Sequence, residues 1–123
     1  MKSKFKKIAI ISSFVVLSIA SCKKESTTPT NYDCSGVVPT YTADVKMIMD
    51  NNCAISGCHN ASSRADGRDY SNYSSVKSGS SSNAFMGSMQ HLSGFKAMPQ
   101  GRSKLSDAQL KTISCWIQNG TPE

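Results

Sequence analysis

The stretch that decides the fold places two cysteines and a histidine within seven residues: Cys53-Ala54-Ile55-Ser56-Gly57-Cys58-His59. Thiolates and imidazoles are good metal ligands, and two thiols this close in sequence can also form a disulfide. Three interpretations are therefore open. The stretch is a Cys53–Cys58 disulfide beside an incidental histidine, a zinc site completed by His91 or another thiolate, or a covalent attachment site followed by a ligating histidine.

A second motif lies 39 residues after His59 and reads Lys96-Ala97-Met98-Pro99. A methionine thioether is a soft, neutral metal ligand, although most methionines are ordinary core residues. Met98 is therefore a candidate ligand by its position beside Pro99, just before the last predicted helix. His91, the other histidine of the chain, is the alternative candidate.

The last helix is predicted at about 107–119. Ser106 and Gln109 form a capping-box pattern at its start, and Gly120 is a natural terminator. Its apolar stripe recurs at helical spacing and comprises Leu110, Ile113, Trp116 and Ile117.

Three shorter helices precede it. The first is predicted to begin at an N-cap on Thr42 and to end before Cys53, and the other two are predicted at roughly 71–77 and 83–91. The apolar faces of the first and last helices are expected to pack together. No segment alternates like a strand, so the predicted class is all-α, with three to four helices.

Taken in order, these motifs resemble the small class I c-type cytochromes. The shared features are a helix that ends at Cys…Cys-His, a later Met-Pro loop, and an ending that runs from Leu105-Ser106-Asp107 to Trp116-Ile117-Gln118-Asn119-Gly120. The resemblance covers roughly residues 40–121. It implies helices around one covalent haem c, with thioethers from Cys53 and Cys58 and iron held by His59 and Met98.

The attachment motif has four residues between its cysteines, where the usual spacing is two. The extra residues are expected to bulge outward, and Gly57 would ease that turn. The implied His/Met ligation fills both axial positions of the iron. The resemblance therefore implies an electron-transfer protein without a small-molecule substrate, and not an enzyme. The alternative is a haem peroxidase-like domain with one open iron position and His91 as its candidate base.

The N-terminus combines four lysines with the apolar run 8–20, the pattern of a secretory signal. The following Ile19-Ala20-Ser21-Cys22 resembles the lipobox of bacterial lipoproteins. The expectation is a lipoprotein signal peptide at 1–21, a lipidated Cys22, a tether at 22–33 and the folded domain at 34–123. The mature protein would then be exported and lipid-anchored to a bacterial membrane, at the periplasmic face or the cell surface.

The chain has fourteen basic and eight acidic residues, a net charge of +6. Four of the basic residues belong to the predicted signal, which leaves ten against eight, or +2. No basic stripe interleaved with aromatic residues is present, so nucleic-acid binding is not expected. The expected partners are exported or membrane redox proteins, and a mild positive charge favours an acidic docking surface.

The five cysteines can all be assigned. With Cys22 given to lipid and Cys53 and Cys58 to the central motif, Cys34 and Cys115 remain. An oxidising compartment permits a disulfide between them. A domain this small and this rich in Ser and Gly needs such a staple, or a cofactor, to supplement its core.

Overall fold

A computed structural model describes residues 28–123, so the predicted signal peptide and Cys22 lie outside the described residues. Within that range the chain forms four α-helices and no β-strand, which confirms the all-α class. The helices are α1 (Lys46–Asn52), α2 (Tyr73–Ser80), α3 (Asn83–Met89) and α4 (Asp107–Gln118). A 3-10 turn, Ala65–Gly67, interrupts the long connection between α1 and α2.

The first helix begins with a π-helical turn, Tyr41–Val45, that continues directly into α1. Thr40 caps this turn. Its hydroxyl accepts a hydrogen bond from the Ala43 N–H (3.2 Å), and its own N–H donates to the Asp44 carboxylate (2.8 Å). The predicted cap at Thr42 is therefore wrong by two residues, because Thr40 and Asp44 together supply both halves of a reciprocal cap.

The two middle helices exist, with shifted ends. The sequence predicts them over 71–77 and 83–91, and the structure has them at Tyr73–Ser80 and Asn83–Met89. The first starts later because the Asn72 side chain caps it, accepting a hydrogen bond from the backbone N–H three residues on (3.0 Å).

The last helix lies within one residue of its predicted bounds, which confirms the prediction. It was predicted over 107–119 and spans Asp107–Gln118. The capping box is present: the Ser106 hydroxyl accepts from the Gln109 N–H (3.3 Å), and the Gln109 side chain accepts from the Ser106 N–H (3.1 Å). Gly120 follows with φ +85°, the left-handed conformation that ends a helix.

The first helical segment packs against α4, as the apolar faces predict. The Tyr41 ring lies 6.1 Å from that of Trp116 and 5.3 Å from that of Tyr73. The Pro122 carbonyl accepts from both the Tyr41 N–H (2.9 Å) and the Trp116 indole N–H (2.7 Å). The remaining fully buried side chains of this core are Val45, Met49, Val76, Leu110, Ile113 and Cys115.

Residues 30–37, here called the N-terminal strap, run along α3 and α4. The Thr30 N–H donates to the Gln90 side-chain carbonyl (2.8 Å), and the Gln90 amide donates back to the Thr30 carbonyl (3.0 Å). Further along, the Gln118 amide donates to the Tyr32 carbonyl (3.3 Å). Thr30 and Tyr32, which the sequence assigns to the tether, are therefore hydrogen-bonded to the folded part.

A disulfide joins Cys34 of the strap to Cys115 of α4, the pair left over by the count of cysteines. Their Cα atoms lie 5.4 Å apart, and the two residues are separated by 81 positions in sequence. The cross-link therefore closes a loop that contains nearly the whole fold.

Replacing Cys34 by Ala should lower the free energy of unfolding by up to about 4 kcal/mol, because the cross-link restricts the unfolded chain. Urea denaturation of the oxidised protein measures the loss. The Cys115→Ala variant should lose at least as much free energy of unfolding, since the Cys115 side chain is fully buried. Wild-type protein under reductant is the control and should match Cys34→Ala. Equal stability of oxidised wild type and Cys34→Ala would contradict the role of the disulfide.

Candidate functional site

A cavity of about 250 Å³ lies against α3, and residues from the end of α1 and from the loops before and after α3 complete its lining. Its lining includes three of the residues singled out from sequence: Cys53, His59 and Met98. The apolar part of the wall is formed by Met49, Tyr70, Ala84, Phe85, Met89 and Phe95. An apolar cavity with a few ligating groups is the usual form of a cofactor site.

A second, smaller cavity of about 130 Å³ adjoins the first and shares Cys53, His59 and Met98 with it. Cys58 and Pro99 line this second space. All four residues of the predicted site therefore face the same pair of adjoining cavities, although they come from two distant segments of the chain.

The loop between the two cysteines folds back on itself. The Cys58 N–H donates to the Ile55 carbonyl (3.0 Å), and the His59 N–H donates to the Cys53 carbonyl (3.0 Å). Gly57 has φ +79°, which an L side chain rarely adopts, so glycine suits this position. The expected turn at Gly57 is therefore present. Although four residues separate the two cysteines, the His59 N–H still reaches the Cys53 carbonyl.

His59 is buried, with 8% of its surface exposed. Its Nδ1 lies 3.3 Å from the Arg68 carbonyl, and its own carbonyl accepts from the Tyr70 N–H (2.7 Å). Because a carbonyl can only accept, the Nδ1 contact requires a proton on Nδ1, and in the neutral imidazole the lone pair is then on Nε2. Ligating histidines in metalloproteins are held in this way, with one ring nitrogen bonded to a backbone carbonyl.

Cys53 and Cys58 carry free thiols in the structure, so the alternative of a disulfide between them is not what the fold contains. Burial raises the pKa of the Cys53 thiol to about 11, nearby Cys58 raises it further, and Arg102 opposes the shift. Cys53 is therefore a neutral thiol at neutral pH.

The zinc alternative requires three or four ligating side chains directed at one point. Over residues 28–123, no three His, Cys, Asp or Glu side chains are grouped so that they could hold a metal ion. Cys53, Cys58 and His59 thus line common space without converging as a metal cluster.

Met98 and His91 occupy different places. Met98 lines both cavities, and its backbone N–H donates to the Ser88 carbonyl of α3 (3.0 Å). His91 is exposed and lines neither cavity, and its Nε2 lies 3.0 Å from the Met98 carbonyl, to which it donates. His91 therefore braces the loop that carries Met98.

Among the wall residues that the sequence analysis does not predict are Arg68, Tyr70 and Phe95. Arg68 contributes through its carbonyl, which no side-chain pattern encodes. Tyr70 and Tyr73 are the two aromatic residues of a long polar stretch, 60–83, and an aromatic residue in such a stretch is the signal that could have marked Tyr70. Phe95 packs so closely on α3 that a Cβ at Gly87 would lie 2.6 Å from its ring.

No protein-family model, curated protein or solved structure matches this chain. Over residues 28–123 none of the helices has the length and apolar character needed to cross a membrane. The case for a function therefore comes from the residues of the chain itself.

The turn beside His59 should be sensitive to acid. The Asp69 carboxylate accepts from the Ser71 N–H (2.9 Å) and hydroxyl (2.6 Å), and these bonds lower its pKa below the ordinary value of 3.8. A carboxylate with a lowered folded-state pKa stabilises the protein above its unfolded pKa, and the effect is lost as pH falls through the folded value. Asp69→Asn should therefore be less stable than wild type at neutral pH, with the difference shrinking below pH ~4.

Urea midpoints measured across that pH range check this prediction. Asp66→Asn is the matched control, since the exposed Asp66 carboxylate pairs with the Arg68 side chain at 3.5 Å and such pairs contribute little. A stability difference between wild type and Asp69→Asn that stays constant with pH would contradict the assignment.

Proposed function

We propose that this chain is a monohaem class I c-type cytochrome, with a Cys-x4-Cys-His attachment motif, that transfers single electrons. The observation that carries the proposal is the meeting of two distant segments at one site. Cys53, Cys58 and His59 line the same adjoining cavities as Met98, which follows 39 residues later. The apolar walls and the shared lining suit a large, flat, largely apolar group.

The donor set fits a haem c. Cys53 and Cys58 are free thiols, the form from which thioethers are made. His59 keeps the lone pair on Nε2 because Nδ1 is committed to the Arg68 carbonyl. Met98, which comes from the later of the two chain segments that form the lining, supplies a thioether sulfur. Each of the four side chains thus carries the chemical group that its proposed role requires.

When bound, a haem supplies a one-electron ferric–ferrous couple. His59 and Met98 would then hold the iron, and the soft Met98 sulfur would favour its reduced state. Because the chain would supply both a nitrogen ligand and a sulfur ligand to the iron, no coordination site would be left for a substrate, which favours electron transfer over catalysis. The apolar side chains of the wall would lower the dielectric constant around the bound group.

The exposed rim of the smaller cavity carries two basic side chains, Lys96 and Arg102, and one acidic side chain, Asp66, so basic groups outnumber acidic ones there. An electron carrier docks where its cofactor edge comes nearest to the surface. Positive charge at this rim favours an acidic surface on an exported or membrane redox protein. The proposal includes export and lipid anchoring through Cys22, which would keep the carrier on a bacterial membrane beside such partners.

The decisive test is the visible absorption spectrum of the full chain produced in an exporting host with a haem c maturation system. The expected result is a sharp c-type reduced spectrum that survives acid–acetone extraction. Cys53→Ala and Cys58→Ala should each weaken the covalent attachment, while Cys34→Ala should not, because that cysteine belongs to the disulfide. A colourless wild-type protein, beside a control cytochrome that matures in the same cells, would overturn the proposal.

Ligand identity is tested by carbon monoxide binding to the reduced protein. Met98→Ala should open the sixth position and create carbon monoxide binding that the wild type lacks. The matched control is His91→Gln, which removes the imidazole but keeps an N–H donor for the Met98 carbonyl. Binding gained by His91→Gln instead would assign the sixth position to His91, and binding by the wild type would favour the peroxidase-like alternative.

A further inference from the structure

Tyr70 lies directly against His59 inside the larger cavity. The two ring centroids are 5.0 Å apart, with an angle of 48° between the ring planes. Tyr70 is buried, with 8% of its surface exposed, and both residues line the cavity. The His59 imidazole therefore rests on an aromatic ring that occupies a defined place in the core.

The backbone around Tyr70 holds His59 as well. The Tyr70 N–H donates to the His59 carbonyl (2.7 Å), and the carbonyl of Arg68, two residues earlier, lies 3.3 Å from Nδ1 of His59. Between them, Asp69 accepts two hydrogen bonds from Ser71 and stiffens the turn. The backbone, ring nitrogen and ring face of His59 thus all contact the single short segment 68–70.

Tyr70 has little freedom to move away from His59. A Cβ built on Gly79 of α2 would lie 2.7 Å from Cε1 of Tyr70 and 3.0 Å from its hydroxyl oxygen. The Phe85 ring meets that of Tyr70 edge-on, with centroids 5.6 Å apart and planes at 87°. The Tyr70 ring is therefore enclosed by His59, Gly79 and Phe85. Because protein interiors are closely packed, a shift of the ring away from Gly79 would also move it against His59 or Phe85.

We infer that Tyr70 is a positioning residue for His59, and that Gly79 of α2 sets its position. This inference rests on the proposed function, because it concerns the orientation of the proposed iron ligand. It goes further in tying that orientation to α2, which contributes no residue to the cavity lining. A partner group that orients a ligating histidine tunes the metal it binds.

The test compares two glycine substitutions that create the same kind of clash. Gly79→Ala forces a methyl group towards the Tyr70 ring, whereas Gly87→Ala forces one towards the Phe95 ring at a similar distance, 2.6 Å. Both glycines lie in helices, and both rings line the larger cavity. The primary readout is the NMR signal of the His59 ring, including hydrogen exchange of its Nδ1–H, in the purified full chain. The secondary readout is the midpoint reduction potential.

Gly79→Ala should shift the His59 ring signals and speed exchange of the Nδ1–H by about tenfold, the scale set by weakening one hydrogen bond. It should also shift the midpoint potential. Gly87→Ala should leave the His59 signals in place. Equal His59 perturbation by the two variants, or none by Gly79→Ala, would overturn the positioning role.

If Gly79→Ala does not fold, Tyr70→Leu and Phe95→Leu replace the pair, since neither needs new space. Tyr70→Leu should then move the His59 signals and Phe95→Leu should not, while Tyr70→Phe, which keeps the ring, should restore the wild-type signals. Any other ranking refutes the inference. Absence of covalent haem would refute the proposed function, but the His59 signals would still decide whether Tyr70 positions that ring.

Discussion

The packing of Tyr41 against Trp116 brings the two ends of the described chain together, and the rest of the structure depends on this contact. Trp116 is fully buried, and its indole N–H shares the Pro122 carbonyl with the Tyr41 N–H. Buried aromatic side chains supply much of the apolar stabilisation in a domain this small. The disulfide acts at the same place, because Cys115 directly precedes Trp116. The long segment between α1 and α4 is thereby held as a closed loop whose ends cannot separate.

That middle segment contributes both to the wall of a cavity and to the core. Of its buried apolar side chains, Tyr70, Phe85 and Met89 line the larger cavity, whereas Val76, Met86 and Leu105 pack in the core away from it. Cavities cost stability because their lining lacks packing partners. In the proposed function, a haem would occupy this space, complete the packing and cross-link the loop at Cys53 and Cys58. The same group would then serve both as the redox centre and as part of the core.

The parts of the fold that sequence reasoning predicted well are those specified by local interactions. The capping box of Ser106 and Gln109 and the stripe along α4 lie within one helix, so the residues involved are near neighbours in sequence. The start of the first helix was misplaced because Thr40 and Thr42 are both competent caps, and Asp44 favours Thr40 by accepting its N–H. The sequence assigns residues 30–33 of the strap to the tether because the hydrogen bonds of Thr30 and Tyr32 come from Gln90 and Gln118, which are distant in sequence.

The sequence by itself determined the class of the fold, the last helix and the residue types available for the site, since periodicity, caps and side-chain chemistry are local properties. Only the tertiary structure decided that Met98 lines the cavity while His91 lies outside it. The two residues belong to one loop, and their positions in the sequence do not specify which of the two side chains is directed towards the cavity. The tertiary structure also decided how His59 is held. The Arg68 carbonyl contacts Nδ1 of His59, and the Tyr70 ring packs against its imidazole. Both contacts depend on the course of the backbone in three dimensions, which no local sequence pattern specifies.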